Sequence, residues 1–140
     1  MAERVSAALR RLVRERARGC CEYCAAQLAF SGENFSVEHI IPRFRGGNSS
    51  ADNLALACQG CNNHKFTRTE ALDEMTGRMT RLFHPRKDRW PEHFEWSADA
   101  TEVLGLTSLG RATVAALHLN RAGLVAQRAV LAALELHPPV

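Results

Sequence analysis

With 140 residues, 46 % of them hydrophobic, the chain has the length of one compact unit and enough apolar side chains for a core. Eighteen Lys and Arg against fifteen Asp and Glu leave a net charge of +3, which permits a nucleic-acid partner without demanding one. No apolar run approaches the roughly 20 residues that span a bilayer, and the first residues, charged from Glu3 onward, hold no signal-peptide core. A soluble, cytoplasmic protein is expected. In that reducing compartment five cysteines read as metal ligands with one to spare, not as a disulfide set.

Residues 3–18 read as an amphipathic helix with Val5, Ala8, Leu12 and Ala17 on one face. Arg4, Arg10, Arg11, Arg14, Arg16 and Arg18 fill much of the rest, and Gly19 ends the helix. Cys20-Cys21-Glu22-Tyr23-Cys24 is a tight turn, and residues 31–34 form a loop. Phe35 to Pro42 reads as a short strand with Phe35, Val37, His39 and Ile41 on one face and Ser36, Glu38 and Ile40 on the other. A polar loop rich in Gly, Ser and Asn (43–52) leads to a second strand, Leu54 to Ala57, and to a second sulfur turn, Cys58-Gln59-Gly60-Cys61. A helix is expected from Asn62 to about Glu74, with Gly77 beyond its end. Residues 83–97, dense in Pro, Trp, His and Phe, read as an irregular satellite core, favoured over a stacking surface for nucleic acid. Glu102 to Leu106 reads as a strand, Thr107-Ser108 as the cap of a helix over 109–118, and Asn120 as the cap of another over 121–136.

Cys21-x-x-Cys24 and Cys58-x-x-Cys61 make a four-thiolate set. A Cys-x-x-Cys turn presents two sulfurs to one ion, and two such turns close a tetrahedral shell around zinc with no open position, the mark of a structural site. Cys20 is the spare. The 33 residues between the turns (25–57) exceed common zinc-ribbon spacings of roughly 15 to 20, so an element is inserted between them.

That insertion carries Val37-Glu38-His39-Ile40-Ile41-Pro42, then Gly46-Gly47, then Asp52-Asn53-Leu54, and after the second turn Asn62-Asn63-His64-Lys65. In order and spacing these segments, over about residues 20–66, resemble the HNH endonuclease family. The resemblance implies an α+β fold: a small ββα-metal core with a four-cysteine structural zinc site, here flanked by an N-terminal helix and a mainly helical C-terminal tail. Residues 1–82 would form the core with its helix, and residues 83–140 an extension packed on it as one compact unit. The tail, with Arg86, Trp90, His93-Phe94 and Gly110-Arg111-Ala112-Thr113, looks like that of small bacterial and phage-like HNH proteins, a weaker likeness that assigns no roles.

Residue by residue, the resemblance makes His39 the general base and Asn53 the residue that orients it and ties the hairpin loop. It makes Glu38 and Asn62 the ligands of a catalytic divalent cation, Mg²⁺ or Mn²⁺, in a His-Asn-Asn variant with Glu where Asp is usual. The residue types suit the chemistry. Imidazole, with an ordinary pKa of about 6.5, can take a proton from water, and a carboxylate suits a hard cation that stabilises charge at the leaving oxygen. Arg43, Arg45, His64 and Lys65 are candidate phosphate contacts. The expected function is hydrolysis of phosphodiester bonds in DNA by a metal-dependent endonuclease, with a homodimer through the C-terminal helices as one arrangement for cutting both strands. The alternative is a zinc-dependent nucleic-acid-binding module without catalysis.

Overall fold

The computed structural model describes residues 5–139. Arg4 and the start expected for the first helix lie outside the described residues. Helix α1 runs Ala7–Arg16, capped by Ser6, whose hydroxyl accepts from the Leu9 N–H at 3.1 Å. Its inner line is the buried Val13 with the partly buried Leu9, continued by Val5 before the helix and Ala17 after it, packed on Leu54 and Leu56. Those four positions are strictly i, i+4, so they stack along one line of the helix. The stripe expected through Ala8 and Leu12 is corrected: Leu12 is 45 % exposed.

Strands β1 (Ser36–His39) and β2 (Leu54–Ala57) pair antiparallel, with Val37 opposite Leu56 and His39 opposite Leu54. All four β2 residues are buried, because α1 covers one face of the strand and the main core the other. Helix α2 (Gln59–Lys65) follows, with Cys58 as its cap. It ends well short of Glu74, which corrects the expected helix. Phe66 adopts φ +50°, and the chain then forms a hairpin of β3 (Glu70–Asp73) and β4 (Arg78–Arg81), with Gly77 in the turn at φ +73°. The period here is two: Glu70 and Leu72 are exposed, Ala71 and Asp73 buried.

The tail carries a short helix α3 (Trp90–His93), the hairpin β5 (Phe94–Trp96) and β6 (Val103–Gly105), and helices α4 (Ser108–Leu117) and α5 (Ala122–Ala133). Thr107 caps α4 as expected. Asn120 does not cap α5. Its side chain accepts from the Val103 N–H at 2.7 Å and donates to the Val103 carbonyl at 3.0 Å, pinning β6 instead. The aromatic segment is no satellite. Phe83 and Phe94 lie in the same buried cluster as Cys21, Tyr23, Ile40, Ala55, Leu109 and Leu117, and the half-buried Trp90 and Trp96 pack on it. Phe83 and Phe94 meet edge to face at 5.2 Å, a geometry that adds about 0.5–1.5 kcal/mol to simple burial. Among the described residues no helix is long and apolar enough to cross a membrane.

Candidate active site and zinc centre

Four buried sulfurs, those of Cys21, Cys24, Cys58 and Cys61, lie within 4.8 Å of one another. The Cys58 sulfur accepts from the Cys61 N–H at 3.5 Å, so the helix cap and the metal knuckle are the same turn. This donor set fits a structural zinc ion: four thiolates, no water position, and a dry surrounding. Cys20 is half-buried and outside the set, the spare expected.

Arg121 joins this site without any local sign in the sequence. Its Nη2 donates to the Cys58 sulfur at 3.5 Å and its Nη1 to the Cys61 sulfur at 3.7 Å, while Nη1 also binds the Leu117 and His118 carbonyls. A Cβ on Gly60 would come within 2.6–2.9 Å of this guanidinium, so the small residue between the sulfurs makes room for it. Arg128, 3 % exposed, donates to the Cys24 carbonyl at 3.3 Å and to the Leu119 carbonyl at 2.7 Å. Four thiolates on one Zn²⁺ would leave a net negative charge in the interior, and these two tail arginines would face it.

The hairpin that holds His39 is organised by Asn53, which is 7 % exposed. Its side chain accepts from the Ile41 N–H at 2.9 Å and donates to the carbonyls of Ile41 (3.0 Å) and Asn48 (2.8 Å). One amide thus closes the loop between the strands. Gly47 is required there, since a Cβ would sit 1.8 Å from the Ile41 oxygen. The held loop presents Ser49, whose hydroxyl lies 2.8 Å from the His39 Nε2. The sequence does not single out Ser49, because it sits in an ordinary polar loop. If Nε2 carries the proton and donates to Ser49, Nδ1 is left as the acceptor.

Glu38 points to the other side of β1 and is 6 % exposed. Its Oε1 accepts from the Tyr23 hydroxyl, and its Oε2 faces the Lys65 ammonium at 3.1 Å. The ammonium also donates to the Ile40 carbonyl at 2.8 Å. Burial pushes the Glu38 carboxyl up, opposed by Lys65 and Tyr23; burial, with Glu38 next, pushes the Tyr23 phenol well up. Lys65, 1 % exposed, is therefore corrected as a phosphate contact: it is an internal cation. As it lies, each Glu38 oxygen holds one internal donor and the Lys65 ammonium stands against the carboxylate, so Glu38 is paired within the core rather than turned outward to a divalent cation.

Asn62 is half-buried, and its side-chain amide makes no hydrogen bond among the described residues. His64 is exposed and stacks on His118, ring centres 4.3 Å apart; partial desolvation, then His118 and Arg121, hold its pKa down. Arg43 and Arg45 are exposed in the turn after β1, with the Arg45 guanidinium 5.1 Å from the Phe44 ring.

Residues 21–68 match the model of the HNH endonuclease family. They run from the first zinc cysteine through both strands and α2 to Arg68. The chain therefore carries an HNH module, which supports a nuclease-type function on nucleic acid with metal binding. No curated protein and no solved structure matches the chain at a significant level.

Proposed function

We propose that the chain is a cytoplasmic endonuclease that hydrolyses phosphodiester bonds, with DNA the first substrate to test. The observation that supports this most is the holding of His39: a half-buried imidazole at the end of β1, set against Ser49 by a loop that Asn53 ties. In this reading His39 takes the proton from a water as its oxygen bonds to phosphorus and the ester P–O bond breaks. Arg43, Arg45 and His64 contact phosphate oxygens and offset the charge that develops there. The family implies a divalent cation, Mg²⁺ or Mn²⁺, which would polarise the phosphate. Because Glu38 is engaged by Lys65 and Tyr23, no step is assigned to it. Two copies paired through the C-terminal helices would use the exposed Val130 of α5 and Leu134 at its C-terminal cap.

The test is nicking or linearisation of supercoiled plasmid by zinc-loaded protein with Mg²⁺, Mn²⁺ or neither. His39→Ala is expected to abolish cleavage while retaining zinc. Equal activity of the two proteins overturns the reading. The Glu38–Lys65 pair favours a second one, a zinc-dependent nucleic-acid-binding module without catalysis. It predicts salt-dependent binding and no cleavage with any divalent ion.

A further inference from the structure

Between the end of α2 and the β3–β4 hairpin lies a cleft of about 250 Å³. Ile40 and Ile41, the two residues that follow His39, form one side, and Leu82 and Phe83 add apolar floor. Its charged lining comes from Arg68, Arg81, His84 and Lys87, together with the buried Lys65; no acidic residue lines it.

We infer that this cleft seats the sugar–phosphate backbone of the nucleic-acid strand next to the bond that is cut, with Arg68 and Lys87 as its phosphate contacts. The inference rests on the endonuclease reading and extends the substrate path from Arg68, the last of the matched residues 21–68, to Lys87 in the segment after the hairpin.

Three observations carry it. First, the cleft is lined by Ile40 and Ile41, the residues next to His39 in the chain, and by Lys65, which holds the Ile40 carbonyl at 2.8 Å. Second, its cations are not all equivalent. Arg81 is held by Asp88 in a two-pronged ion pair at 2.6 and 2.8 Å, and Asp88 also accepts from the His84 N–H at 2.9 Å. Lys65 is neutralised by Glu38. The side chains of Arg68 and Lys87 make no hydrogen bond or ion pair among the described residues, so their charge is available to a ligand. Third, an apolar floor under a cationic rim matches a nucleotide unit, whose sugar is largely apolar at its faces and whose phosphate carries the charge. The volume suits a unit of that size and not a folded partner.

The probe is a fluorescein-labelled duplex oligonucleotide, with a single strand of the same sequence in parallel. Binding to the full-length, zinc-loaded chain is followed by anisotropy over a range of KCl, without added divalent ion so that no strand is cut. Each phosphate neutralised contributes about 0.9 to the slope of log K against log salt for duplex. Arg68→Ala/Lys87→Ala should therefore lower the magnitude of the slope by about 1.8 and weaken binding at a fixed low salt. A control pair on α1, Arg10→Ala/Arg11→Ala, should leave the slope within half a phosphate's worth of wild type. Zinc content and melting temperature verify that the variants are folded.

An unchanged slope in the Arg68/Lys87 variant overturns the cleft, and so does an equal fall in the Arg10/Arg11 control. In either case binding by the wild type would leave the endonuclease reading standing. A wild-type chain that binds neither duplex nor single strand overturns both.

Discussion

Replacing Lys65 by Met removes the ammonium that faces Glu38 while keeping most of the side-chain volume. Lys65 is 1 % exposed and Glu38 6 %, and Nζ lies 3.1 Å from Oε2, so neither charge has water to fall back on. Removing one partner of such a pair costs about 3–5 kcal/mol. Glu38→Met should cost a similar amount, because it strands the ammonium and the Tyr23 hydroxyl. The double variant has no stranded charge. It leaves the Tyr23 hydroxyl and the Ile40 carbonyl unpaired, at about 1–3 kcal/mol each. Its loss should be about 2–6 kcal/mol, against about 6–10 for the sum of the single changes. Urea unfolding at saturating zinc reads this. At an m-value of about 2 kcal/mol/M each single change lowers the midpoint by about 1.5–2.5 M. A second reading comes from Mg²⁺. Wild type should not be stabilised by it at Glu38, whereas Lys65→Met exposes an unpaired carboxylate, and an ion at ten times its Kd would add about 1.4 kcal/mol. Single losses that simply add, or equal stabilisation of wild type and Lys65→Met by Mg²⁺, would refute the view of Lys65 as the cation of that site.

Three further outcomes are expected. Arg121→Met should weaken zinc binding by about 10- to 100-fold in competition with a chromogenic chelator, as loss of groups that orient metal ligands does; an unchanged affinity would mean the sulfurs do not depend on it. Gly47→Ala should lower the melting temperature and reduce any cleavage by His39, since its Cβ would force the Ile41 carbonyl and the Asn53 amide apart; a neutral change would sink the account of the loop. Burial, joined at His84 by Lys87, holds the pKa of His84 and His137 below the ordinary imidazole range. The unfolded chain therefore takes up these protons first, so their contribution to stability is full above about pH 6.5 and is lost as the pH falls from there through the lower folded-state pKa. Changing both to Gln should flatten the fall of the urea midpoint between pH 7 and 5.5, measured at saturating zinc; a slope like that of wild type would contradict this.

The zinc cysteines are legible in the sequence because their geometry is local: each pair is a single turn, and the second doubles as a helix cap. The β1–β2 hairpin is legible for a related reason, since its strands are bounded by Pro42 and by a polar loop. The β3–β4 hairpin is not. Its alternation lasts four residues and puts Asp73 on the buried side, where a carboxylate hides the pattern. Local donors, the Met75 N–H and the Thr76 hydroxyl, bind it, but its countercharge is Arg111, 38 residues away, which donates two bonds at 2.9 and 3.0 Å. The face of α1 differs by one residue from the expected one for the same kind of reason. Ala8–Leu12 and Leu9–Val13 are both apolar lines, and only β2, packed across the helix, selects the second.

A common thread joins the residues whose roles the sequence hides. Lys65 answers Glu38 across 27 positions, Arg111 answers Asp73 across 38, and Arg121 answers Cys58 across 63. The need for compensation is visible in the sequence, because a buried carboxylate or a zinc tetrathiolate must face positive charge. The identity of the compensating residue is not, because 18 Lys and Arg are candidates and the fold chooses among them. This bears on substrate binding. Lys65, Arg111, Arg121 and Arg128 are committed to partners within the fold, so the net charge of +3 is a poor guide to the surface that nucleic acid meets. In the proposed function, the cations that meet a phosphate backbone are local: Arg43 and Arg45, exposed in the turn after His39, and Arg68 and Lys87 at the cleft. A modestly basic protein can bind a polyanion in this way, provided its outward cations are grouped around the site and its inward ones are already matched.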